Sequence, residues 1–152
     1  MEQNEQIWSI NEINAGDLSI NKLKAARRFA VQFLFQIEAS GVYWYQERTL
    51  NDFISLHEVP EPIQEFLNKL VRASLERRKS TDEKITANLK NWTFDRIGKI
   101  ELAILRTAYT ELSLRKDVNK AAVIADAVDI AKRYGSQHSG GFVNGILDSL
   151  VK

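Results

Sequence analysis

From residue 21 to the C-terminus, apolar side chains recur at helical spacing almost without a break, and the two prolines, Pro60 and Pro62, share one short connection. Such a chain closes a core by packing helices on helices, because no segment alternates as a strand would. The period predicts helices near 21–39, 49–57, 62–78, 80–89, 95–114, 119–134 and 142–151. Ser19 or Asn21 caps the first, Pro62 suits the first turn of the third, and Ser80-Thr81-Asp82-Glu83 reads as a capping box opening the fourth. Gly98 is a weak point within the fifth. Asp117 or Asn119 starts the sixth, and Gly135 ends it as a C′ glycine. The expectation is an all-α bundle of about seven helices, one domain over residues 21–152.

Charge divides the chain. Residues 1–20 hold Glu2, Glu5, Glu12 and Asp17 and no lysine or arginine, which reads as a loosely ordered acidic tail. The other 16 acidic residues face all 21 basic ones, so the folded part carries about +5, a mild bias towards polyanions. Without cysteine there is no disulfide, no thiolate nucleophile and no cysteine-held zinc. No apolar run approaches the about 20 residues that a bilayer requires, and the first residues lack the order of a secretion signal, so the expected compartment is the cytoplasm.

Catalysis finds no footing. Neither glycine-rich nucleotide cradle occurs, and His57 and His138 stand far apart with no HExxH pattern, so no cofactor or metal is expected. His57 continues an apolar stripe, as a core or boundary residue would. Asp126 and Asp129 form a conceivable carboxylate pair, but Lys132 and Arg133 follow Asp129 at the spacing of a solvated helix face.

Three features call for more than packing. Lys22, Lys24, Arg27 and Arg28 crowd the start of the first helix, where the dipole already disfavours cations; free N–H groups beside them make a phosphate seat. Counting 100° per residue, Lys24, Arg28, Val31 and Phe35 form a second face, basic at one end and apolar at the other. The segment Ser139-Gly140-Gly141-Phe142 joins a cap hydroxyl, two residues without side chains and an aromatic; Phe142 and Tyr134 can each stack on a base or close the core. Last, Glu101 falls near the centre of the fifth helix's apolar stripe and Glu111 near its margin. A buried carboxylate needs an internal partner or a cation from outside.

The stretch Asn91-Trp92, Asp95-Arg96-Ile97, Ala103-Ile104-Leu105-Arg106 and Tyr109-Thr110-Glu111-Leu112 resembles the NusB family of bacterial antitermination factors. So do Ala127-Val128-Asp129-Ile130-Ala131-Lys132 running into Tyr134-Gly135, and, most specifically, Ser139-x-x-Phe142-Val143-Asn144-Gly145-Ile146-Leu147-Asp148. Ala26-Arg27-Arg28 with Ala30-Val31-Gln32 looks like the family's arginine-rich first helix. The resemblance spans residues 22–151. It implies two small helical bundles packed across each other, and binding of boxA RNA together with NusE, the tenth protein of the small ribosomal subunit. It also implies loading onto RNA polymerase with NusA and NusG. Carried over by position, the RNA face uses Lys24, Arg27, Arg28, Tyr134, His138, Ser139 and Phe142, while Glu101 belongs to the NusE-facing surface. Relatives occur as monomers and as homodimers. The chain departs from the family pattern at Ala125-Asp126, at Asn119 where a proline is usual, at Gly140-Gly141 and in its acidic extension. Two other readings remain: the NusB-like domain of a ribosomal RNA methyltransferase, whose α/β cofactor domain these 152 residues lack, and a protein-only helical adaptor.

Overall fold

The computed structural model describes residues 12–115 and 117–152. Most of the expected acidic tail, residues 1–11, lies outside the described residues. Its remainder sits against the body: Ile13 is buried and its N–H donates to the Leu114 carbonyl at 3.3 Å.

Seven α-helices account for the regular structure among the described residues, with one 3₁₀ turn and no strand. Helix α1 runs Ile20–Ser40. The Ser19 hydroxyl caps it by accepting the Lys22 N–H, and left-handed Gly41 ends it with an N–H to the Ile37 carbonyl. Helix α2, Glu47–Leu56, is pinned by Leu50 and Phe53; the Phe53 ring meets Phe33 edge-on at 5.3 Å. His57 is exposed and lies on the outer side of Phe53, with ring centroids 4.2 Å apart. It is the boundary histidine that its stripe predicts.

Helix α3 spans Glu61–Glu76 with Pro62 in its first turn, and α4 spans Arg78–Ala87. The expected capping box does not open α4, which starts two residues earlier. Thr81 is buried and Asp82 is occupied by Arg106 of the next helix, so tertiary contacts have claimed both side chains. A 3₁₀ turn at Phe94–Arg96 precedes α5, Lys99–Leu114. Gly98 is therefore the residue before the helix and not a flaw inside it.

Asn119 caps α6, Lys120–Tyr134, by accepting the Ala122 N–H at 3.1 Å; this amide does the work expected of the family's proline. Gly135 ends α6 in an extended conformation, not the left-handed one expected of a C′ glycine. Its role is close approach: a Cβ there would run into the Ser139 side chain and lie 2.8 Å from the Ala131 carbonyl. Helix α7, Ser139–Leu150, begins three residues earlier than its stripe suggests, which puts Gly140 and Gly141 in its first turn.

α1, α3 and α5 pack on one another, as do α5, α6 and α7, so two three-helix groups share α5. Nearly every α5 side chain from Leu102 to Leu114 is buried in consequence, including Arg106 and Glu111. Among the described residues no helix is long and apolar enough to cross a membrane.

Candidate nucleic-acid interface

The two buried charges of α5 determine what remains on the surface of α1. Glu111 is 1% exposed and accepts two hydrogen bonds from Arg27, each 2.8 Å, and one from Arg115 at 2.5 Å. A third bond from Arg27, 2.7 Å, goes to Asp126 of α6. Arg106 repeats the arrangement with Asp82 and Glu38. Burial alone would lower the pKa of Arg27, but its hydrogen bonds to Glu111 and Asp126 and their charges outweigh that and raise it.

This corrects the sequence reading at one position. Arg27 does not face a phosphate, because it is 8% exposed and its guanidinium is committed to two carboxylates. Glu111 takes an internal partner, one of the two outcomes open to a buried carboxylate at that place. Asp126, where the chain departs from the family pattern, reaches Arg27.

Lys24 and Arg28 do stay at the surface. With Asn21 they form one wall of a cleft whose other wall is Asp129, Arg133 and Tyr134 at the end of α6. Asp129 bonds across the cleft to Lys24 at 3.3 Å, instead of along its own helix. Both side chains of that pair are more than half exposed, so the bond is worth about 0–1 kcal/mol and yields readily to a phosphate. Arg28 lies with its guanidinium carbon 5.2 Å from the Phe29 ring centre. Tyr134 is 47% exposed. The cleft thus unites three expected residues and adds Arg133, which sequence reasoning had assigned to a solvated ion pair.

The loop before α7 divides likewise. His138 is exposed, whereas Ser139 is buried, and its hydroxyl accepts the Ser136 N–H at 2.9 Å. Ser139 therefore shapes the loop and is not positioned to meet RNA, a second correction. Gly140 lies beneath the Lys132 stem, while Gly141 opens on solvent. Phe142 is half-buried, with its ring centre 6.3 Å from that of Trp92, and the Arg96 guanidinium lies 5.1 Å from the indole ring centre. Trp92, 45% exposed, follows left-handed Asn91. It was legible as part of a family motif but not as a neighbour of Phe142, because 50 residues separate them.

Beyond Arg28 the outer face of α1 turns apolar. Val31, Gln32 and Phe35 line a groove closed by Ile100, Ile130 and Tyr134. Phe35 is 40% exposed and Tyr134 belongs to both cleft and groove, so the basic and apolar halves are continuous. Glu101 follows Ile100 at this edge. It is half-buried, and its carboxylate accepts the Gly98 N–H at 3.3 Å, a partner within its own helix start. Among the described residues no group of acidic residues and histidines is arranged to hold a metal ion.

Comparison with known proteins is consistent in length and order. A model of the NusB family matches residues 24–152. The chain is 39% identical to the transcription antitermination protein NusB of Anaeromyxobacter dehalogenans, covering 83% of this chain and 87% of that protein. It is 37% identical to that of Trichlorobacter lovleyi, covering 84% and 88%. Among solved structures, NusB of T. maritima superposes with a TM-score of 0.74 at 32% identity, covering 84% of this chain and 89% of that one. A crystal structure of the antitermination factors NusB and NusE in complex with double-stranded RNA gives 0.77 at 26% identity, covering 87% and 97%.

Proposed function

The chain belongs to the NusB family, and from that membership we propose that it is a transcription antitermination factor that binds boxA RNA together with the ribosomal protein NusE. The observation that carries the reading is the continuous outer face of α1. Lys24 and Arg28 supply a basic end, and Phe35 supplies an apolar groove on the same helix. Phosphates seat at the basic end, assisted by Arg133 and by His138 beyond it, and bases stack on Phe142, Trp92 or Tyr134. NusE lies in the groove, with Glu101 at its rim. An RNA strand and a ribosomal protein thereby share one helix.

The assembly then joins RNA polymerase with NusA and NusG, in the cytoplasm, and the protein acts by binding without a catalytic step. Self-association through the same groove would compete with NusE, so a homodimer is a resting form in this scheme. The alternative of a protein-only adaptor draws on the inward turn of Arg27 and Ser139, which leaves fewer contacts for RNA.

The test is binding of a boxA RNA and a scrambled control, with and without NusE, at two salt concentrations. Selective binding that NusE strengthens supports antitermination. A log–log salt slope of roughly −2 is expected for three phosphate contacts to a single strand. NusE binding with no RNA preference would leave the adaptor.

A further inference from the structure

The loop between α1 and α2 holds three consecutive aromatics in unequal settings. Tyr43 lies under the Arg78 guanidinium, 3.6 Å from its ring centre. Tyr45 accepts the Asn68 amide at 2.8 Å and has Arg72 at 5.1 Å from its ring. Between these two anchored tyrosines Trp44 is 63% exposed, more than any other aromatic among the described residues. An indole held at both sides and left in water is a preformed surface that loses little freedom on binding.

Its position relative to α4 gives it a ligand. Arg78, which holds Tyr43, is the first residue of α4, and the helix ends at Ala87, five residues before Trp92. Ten helical residues rise about 15 Å, so the loop of Trp44 and the Trp92–Phe142 pair flank opposite ends of one short helix. Lys79, Lys84 and Lys90 are exposed along this stretch. Of its two acidic residues, Asp82 is taken by Arg106, and only Glu83 offsets the lysines at the surface. Counted from Lys79 to Lys90, three exposed lysines stand against one exposed glutamate, so the surface between the two indoles carries a net positive charge. A protein hot spot would sit in an apolar patch that can be dried, and this one sits among charges.

We propose that α4 is a track for single-stranded RNA, along which RNA flanking the segment on Trp92 and Phe142 reaches Trp44 and stacks a base there. The inference rests on the RNA-binding reading above. It assigns to this protein a second contact, made outside the recognised element and tolerant of sequence, because every base has a face to stack.

The experiment compares two RNAs on the full chain: a short boxA RNA, and the same RNA extended on both sides by unpaired nucleotides. The extension should tighten binding, and Trp44→Ala should remove about a 5- to 100-fold share of that affinity while leaving the short RNA unchanged. Trp44→Phe should keep most of the gain, and Lys79→Gln should flatten the salt slope for the extended RNA alone. Equal binding of wild type and Trp44→Ala to the extended RNA, with the short RNA still bound, overturns the track and leaves the proposed function standing. Failure of both RNAs to bind overturns both. Loss of NusE binding in Trp44→Ala, with RNA affinity intact, overturns the track in favour of a protein contact.

Discussion

Arg27 and Arg28 are neighbours in sequence with opposite fates, and the difference is angular. Arg27 follows Leu23 by four residues and precedes Ala30 by three, so it shares their inward side; Arg28 is rotated a further 100° towards solvent. The phase of the apolar stripe separates the two residues, whereas the basic cluster at the helix start treats them alike. Arg27→Met should cost about 3–5 kcal/mol in denaturant unfolding, since Asp126 loses its partner and Glu111 keeps only Arg115. Adding Glu111→Leu should return part of that loss. Lys24→Gln, at an exposed position, should leave stability unchanged and reduce the RNA salt slope by about 0.7.

Tyr45 supplies a pH effect at the same scale. Burial raises its pKa above 10.0, the Asn68 hydrogen bond lowers it, and nearby Glu47 raises it again. The folded chain thus favours the neutral phenol, a contribution fully present below about pH 10 and lost as pH rises through the folded value. Tyr45→Phe should flatten the decline in stability on the alkaline side, measured by urea midpoints from neutral pH upward. The two curves should run parallel below pH 10.

At the scale of elements, all seven helices were legible because their stripes are long, while their ends were misread wherever tertiary contacts claimed the capping residues. Thr81 and Asp82 look like the start of a helix when read locally; packing against α5 gave them other partners, and α4 continued past them towards α3. Phe142 began a stripe, yet the loop before it wound one turn further. Pairings between a loop and a distant helix, such as Trp92 with Phe142, leave no periodic trace at all. The junction of α6 and α7 offers a contrast of two glycines. Gly135→Ala drives a Cβ towards a backbone carbonyl and should cost about 1–3 kcal/mol. Gly140→Ala meets side chains alone, the Lys132 stem and, at ordinary contact distance, Val128, and its thermal midpoint should move far less.

For the whole molecule, composition and period were enough to give an all-helical chain without cofactor chemistry as the expectation, and the two groups sharing α5 are the form it takes. At this scale we propose that the acidic extension acts through its charge. Removing residues 1–11 keeps the Ile13 anchor and deletes two carboxylates, so the fold should be unaffected. RNA affinity should rise at low salt and stay level at high salt, as binding isotherms at both would read; equal low-salt affinities would exclude competition by the extension.

Helix α1 is fixed by Arg27 to α5 and α6 and by Glu38 to Arg106, near each of its ends. Bolted twice, it can neither roll nor slide. Lys24 and Phe35 are eleven residues apart, about 16 Å along that rod. Whatever lies at one end and whatever lies at the other are therefore measured against a common ruler. A helical turn inserted between the two seats would spoil joint occupancy while sparing each ligand alone. What such a helix selects is spacing, and grip comes second.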